Sequence, residues 1–141
     1  MTYSTLKHLV TGLLIGDNAL PKDDEVTKAL LSYAYNMISD KAEALHLLTL
    51  NKSDDIHRLA SGEYLMRTPS LPMNDTDELD IDQELGFVAA RYMAAMLSKD
   101  KIAIHQQYAE DGILKYNGKV YQIIKKINND SIECEETDCI N

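Results

Sequence analysis

The chain has no tryptophan and a single phenylalanine, Phe87. Its aromatic content is almost all tyrosine, a residue often half buried with its hydroxyl wet. Cysteine is nearly absent: Cys134 and Cys139 are the only two, both in the last eight residues. Two cysteines build neither a disulfide framework nor a four-cysteine zinc site, and free thiols in a reducing compartment are the plain reading. Bases are outnumbered, with 14 Lys and Arg against 23 Asp and Glu and a net charge of -9. That balance excludes wrapping of nucleic acid by counterion release and disfavours an anionic membrane surface. No apolar run approaches the roughly 20 residues that span a bilayer. The opening MTYSTLKHLVTGLLIGDN alternates apolar and polar residues and does not read as a signal peptide. These absences place the chain in the cytoplasm, or in an assembly made there.

What is present describes an ordinary folded protein. The 141 residues fit one domain and are enough to bury a core without staples. The chain is 45% apolar and 26% charged, which is typical of globular domains. There are no internal repeats.

Helical spacing appears first at residues 3–15, where Leu6, Leu9, Val10, Leu13 and Leu14 share a face. Gly16, Asp17, Asn18 and Pro21 stop that helix. A second helix spans 23 to about 40, with Asp23, Asp24 and Glu25 at its positive N-terminal end. Its expected buried stripe is Val26, Leu30, Tyr33 and Met37, with Ala29, Ala34 and Ile38 beside it. It either continues through Ala44 and Leu45 or breaks near Ser39-Asp40. Residues 45–67 lose the helical period and suggest a β-hairpin about Ser61-Gly62, with Tyr64 and Met66 on one face of the returning strand. Residues 67–81 form an extended arm, because Pro69 and Pro72 push Thr68 and Leu71 out of the helical region.

The arm carries Asp75, Asp77, Glu78, Asp80 and Asp82, with Glu84 following, and no base between them. Helix resumes near Asp82, with Asp80 or Asp82 placed to serve as its N-cap. Residues 83–98 put Leu85, Val88, Ala89, Tyr92, Met93 and either Ala95 or Met96 at core spacing. The alanines at 89, 90, 94 and 95 make this helix thin and open to close approach. Asp100 is placed to cap a last, longest helix. Its seam runs Ile102, Gln106, Ala109, Ile113, Tyr116, Val120, Ile123 and Ile127, a heptad-like series. Gly112 and Gly118 each weaken it by about 1 kcal/mol relative to alanine. Asn117-Gly118 is a turn signal, and residues 118–128 read as helix on the seam or as strand on alternation. The seam favours helix. The organisation is one helical domain over 1–128 and an acidic tail over 129–141. Five acids and no base keep that tail from packing alone.

No residue set for chemistry emerges. An EF-hand laid on DTDELDIDQELG puts Leu79 at a ligand position, Asp80 where glycine belongs and Gly86 where the last glutamate belongs. His8, His46, His57 and His105 form no i, i+3 or i, i+4 pair, although His46 and His57 are placed to meet across the hairpin. There is no phosphate loop, nucleophile elbow or H-E-x-x-H. The expectation is a non-enzyme with no catalytic residue, no metal and no cofactor. The fold class expected is mainly α: a bundle of about four helices, a short β-hairpin, an extended proline-containing arm and an acidic extended C-terminal tail.

One order of elements is nevertheless specific. A helical start, a capped helix, a small β element, an R-x-P-x-L-P arm, a D-E-L-D-I-D-x-E-L segment, an alanine-rich helix and a long last helix resemble the head-to-tail adaptor (connector, or head-completion) proteins of tailed bacteriophages. The resemblance is carried by Arg67, Pro69, Leu71, Pro72, Glu78, Leu79, Ile81 and Leu85, then the Ala89–Ala95 helix and the His105–Tyr116 stretch. It covers roughly residues 22–118. It implies a structural virion protein of the neck, made in the bacterial cytoplasm and without enzymatic activity. The implied partners are copies of itself in a ring, expected to be dodecameric, the portal protein, and the tail or next neck protein. DNA would pass through the ring without specific binding. The candidate interface or channel-facing residues are Arg67, Pro69, Leu71, Pro72, Asp75, Asp77, Glu78, Asp80 and Asp82 in the arm. Ile132 and Ile140 are candidate anchors in the tail.

Overall fold

The computed structural model describes the backbone of residues 1–136 and the side chains of residues 1–128. Four helices carry the fold: α1 (Tyr3–Leu13), α2 (Asp24–Lys41), α3 (Gln83–Leu97) and α4 (Ile102–Glu136). Between α2 and α3 lie a 3₁₀ turn (Leu45–Leu47) and three short strands, β1 (Leu48–Thr49), β2 (Ile56–Leu59) and β3 (Leu65–Arg67). The fold is mainly α with a small sheet, as the periodicity predicts. Among the described residues no helix is long and apolar enough to cross a membrane.

Local chemistry sets the helix starts. Thr2 caps α1 by accepting from the Thr5 N–H, and Asp23 caps α2 by accepting from the Glu25 N–H. The end of α2 is held differently. Arg58 Nε donates to the Ser39 carbonyl at 2.6 Å and Nη2 to the Ala42 carbonyl at 3.1 Å. From α4, Asn117 Nδ2 donates to the Lys41 carbonyl at 2.9 Å, while its Oδ1 accepts from the Glu43 N–H at 2.8 Å. The last carbonyls of a helix need such outside donors. So Asn117-Gly118 is not a turn: α4 runs straight through it, and 118–128 is helix. The helix goes on to Glu136, so part of the segment expected to be an extended tail is helical.

The hairpin is present, as β2 and β3 about Ser61-Gly62. Gly62 sits at φ +62°, where a side chain would be strained. A third strand joins it, for the order β1-β3-β2 with both pairings antiparallel. Met66 is fully buried, whereas Tyr64 precedes the strand and stays 47% exposed. Of the two residues expected on one face of the returning strand, only Met66 lies in β3.

Helix α3 is the centre of the body, packed by α1, α2 and α4. Leu85, Val88, Ala89, Ala90, Tyr92, Met93, Ala94 and Ala95 are all buried, and Met96 is not. Small side chains let three neighbours approach one helix. Gly112 marks the closest approach of α4, because a Cβ there would lie 2.7 Å from Val88 Cγ2.

Two stripes differ from expectation. On α2 the buried face is Thr27, Leu31, Ala34, Tyr35, Ile38 and Ser39, while Val26 and Tyr33 are exposed. Both stripes are apolar, and contact with α3 selects the one centred on Ala34. On α4 the buried residues are His105, Ala109, Ile113, Tyr116 and Val120. His105 replaces Gln106 at the body, because Arg91 of α3 bonds to it there. Ile102, Ile123 and Ile127 remain exposed.

Candidate functional site

The proline arm is pinned at both ends of its length. Pro69, Pro72, Leu79 and Ile81 are buried; Leu71 is 41% exposed. At its start, Arg67 makes a bidentate pair with Asp80, Nη1 to Oδ2 at 2.5 Å and Nη2 to Oδ1 at 2.8 Å. Fork-to-fork pairing of this kind fixes direction as well as distance. The Ser70 N–H and His46 Nε2 also reach the Asp80 carboxylate. Burial would raise this carboxyl; the bonds from Arg67, Ser70 and His46 outweigh it and hold it at about 2. Asp80 is thus a staple across the arm.

Further along, the arm lies against the chain start. The N-terminal ammonium donates to Glu78 Oε2 at 2.8 Å, and Lys7 Nζ to Asp75 Oδ1 at 2.8 Å. Backbone bonds run from Tyr3 N to the Asp77 carbonyl, Ser4 N to the Asp75 carbonyl and Leu79 N to the Met1 carbonyl. Asp77 accepts from the Met73 and Asn74 N–H groups, which hold its carboxyl below the usual range.

Asp82 occupies the N-cap position of α3, yet its side chain makes no capping bond there. It accepts instead from the His46 N–H at 2.8 Å and the Tyr116 hydroxyl at 2.5 Å. That ties the start of α3 to α4. His46 and His57 do not form a pair across the hairpin, because each is bonded to a carboxylate, Asp80 and Asp40 respectively.

The arm acids thus divide into two classes. Asp80 and Asp82 point inward and anchor. Asp75 and Glu78 keep most of their side-chain surface, at 63% and 72%. Ion pairs so exposed contribute little to stability, and Asp75 and Glu78 sit at the outer edge of the arm, each beside a cation.

A second surface was missed by the sequence reading. Helices α1, α3 and α4 enclose an open groove of about 800 Å³, lined by Leu9, Leu13, Phe87, Val88, Tyr108 and Tyr116 among others. Phe87 is 55% exposed there. Its lining includes Lys115, Arg91, which stacks on Tyr108, and a Lys119–Glu84 pair at 3.0 Å. The available signal was the lone phenylalanine, placed on the polar side of the stripe assigned to α3.

The third feature is the far end of α4. Ile123, Ile124 and Ile127 continue the buried stripe past Val120 but are 51%, 48% and 58% exposed. The side chains of Ile132 and Cys134, and all of Cys139 and Ile140, lie outside the described residues. Among the described residues no three of His, Cys, Asp and Glu gather as a metal-binding group.

No protein-family model, curated protein or solved structure matches this chain.

Proposed function

We propose that the chain is a structural virion protein of a tailed bacteriophage. It forms a ring beneath the portal, joins head to tail and extends the DNA channel. The observation that carries this reading is the α4 overhang: an apolar helical face that outruns its own core. A protein that works alone rarely leaves such a face uncovered, whereas an assembling subunit needs one. The arm supports the reading because it is stapled by Arg67–Asp80 into a rigid edge. Rings built from a fixed repeat need stiff subunits.

Asp75 and Glu78 are the exposed arm acids that would face DNA, held in exposed ion pairs with Lys7 and the N-terminal ammonium. A channel lined by acids repels phosphate and avoids the ion pairing that would hold the duplex. The proposed location is the neck of the virion, with the portal on one side and the tail or next neck protein on the other.

Co-expression with the portal protein of the same phage tests this. The expected result is a complex with the chain in a fixed multiple, twelve if the resemblance holds, seen as a ring by particle imaging. A stable monomer that ignores the portal and binds one small partner would overturn it. That outcome would favour a small helical interaction module, which the exposed Ile123 and Ile127 would also serve.

A further inference from the structure

Asn117-Gly118 is the only Asn-Gly pair in the chain. Such a pair deamidates readily, because a glycine without Cβ lets its backbone nitrogen reach the asparagine Cγ. Here the pair is held in a conformation that blocks the reaction. Helix α4 runs unbroken through it, so the Gly118 N–H is engaged with the carbonyl one turn back. The side-chain amide is committed to another element at both of its ends. Its Nδ2 donates to the Lys41 carbonyl at 2.9 Å, and its Oδ1 accepts from the Glu43 N–H at 2.8 Å. We propose that Asn117 is a self-modification site guarded by the fold. It is a clasp that deamidates in chains that have opened there and cannot be fastened again afterwards.

The step needs no partner except water. With α4 unwound, the Gly118 nitrogen gives up its proton to solvent and attacks Asn117 Cγ. The bond from Cγ to the side-chain nitrogen breaks, that nitrogen takes up a proton and leaves as ammonia, and a five-membered succinimide remains. Water then adds to one of the two imide carbonyls and opens the ring to an aspartyl or an isoaspartyl residue at 117. Nothing is oxidised or reduced.

Either product undoes the clasp. An asparagine amide donates and accepts, whereas an ionised carboxylate only accepts. It still serves the Glu43 N–H but turns its second oxygen on the Lys41 carbonyl, acceptor against acceptor. That carbonyl lies in the last turn of α2, where the helix needs outside donors. The isoaspartyl form also adds a methylene to the backbone in the middle of α4, just before the buried Val120. Arg58 continues to hold the Ser39 and Ala42 carbonyls. The modified chain is therefore a weakened fold in which α2 and α4 are no longer tied. Space does not require the glycine: a Cβ at Gly118 would meet no atom within 4 Å. Gly118→Ala thus keeps helix and clasp while hindering the attack, and serves as the control.

The full chain is aged in mildly alkaline buffer, once folded and once in concentrated urea, and aspartate and isoaspartate at 117 are counted by peptide mapping. Conversion should be at least roughly 30-fold slower in the folded chain, the scale that a modest cost of local opening imposes. Equal rates in the two conditions overturn the guard. Wild type aged in urea and then refolded should unfold at a lower urea midpoint than fresh protein, and Asn117→Asp should reproduce that shift. Gly118→Ala aged in the same way should convert far more slowly and keep its midpoint. An aged wild type with an unchanged midpoint, or an aged Gly118→Ala that loses as much as the wild type, overturns the clasp.

Discussion

The two halves of α4 carry one stripe and meet different fates. From His105 to Val120 the stripe is buried against α3, with every stripe residue at 7% exposure or less. From Ile123 to Ile127 the same spacing continues, but Ile123, Ile124 and Ile127 are 51%, 48% and 58% exposed, with Leu45, Leu48 and Tyr64 beside Ile124 from outside the helix. Apolar periodicity therefore specifies a face, not a partner. The first half of the helix holds the body together, and the second half keeps about half of its apolar surface exposed.

That contrast is broken hardest in the buried half. Ile113→Asp puts a carboxylate among α3 side chains and should cost about 4 kcal/mol or unfold the chain, because a buried charge without a partner is expensive. Thermal or urea unfolding checks it. Gly112→Ala probes the same contact more gently. The new methyl meets Val88 Cγ2, and overpacking of this kind costs about 1–3 kcal/mol. A companion Val88→Ala should recover much of the loss.

His105 gives the buried half a pH dependence. Arg91 Nη1 lies 3.2 Å from Nδ1, and arginine only donates, so Nδ1 is the unprotonated acceptor. Burial first, then the charges of Arg91 and Lys101, push this imidazole below its ordinary 6.5. The unfolded chain then binds the proton more readily than the folded one. Stability should fall as pH drops through and below about 6.5 and be complete above it. His105→Gln should remove that part of the acid sensitivity, read as midpoint against pH from 8 down to 5.

In the overhang the effect should nearly vanish. Ile127→Asp, at a position 58% exposed, should change stability by no more than about 0.5 kcal/mol. Its consequence should appear in assembly alone. A large loss of stability there would mean the two halves are not distinct.

Much of this was legible locally. The acidic start of α2 at Asp23–Glu25, the breaks at Gly16–Pro21, the hairpin about Gly62, and α3 starting after Asp82 all depend on a few adjacent residues. Reading the arm as extended was also local, since Pro69 and Pro72 act on their neighbours. What the arm acids do was not legible. Asp80 meets Arg67 thirteen residues away and Glu78 meets the chain start seventy-seven residues away. Nor was the α2 stripe, where two apolar faces compete and only contact with α3 chooses between them. Asn117 looked like a turn because its local signal is a turn; its side chain instead closes the end of α2.

The sequence by itself determined the number and order of the helices, the acidic starts of α2 and α3, and an apolar stripe running along α4. These follow from capping, backbone preference and period, which act over a few residues. Only the tertiary structure decided where on α4 the core ends, which arm acids anchor and which stay outside, and that a groove lies open beside α3. Those depend on which surfaces meet, and that is set by packing around the thin alanine face of α3 and by ion pairs that close over long stretches of chain.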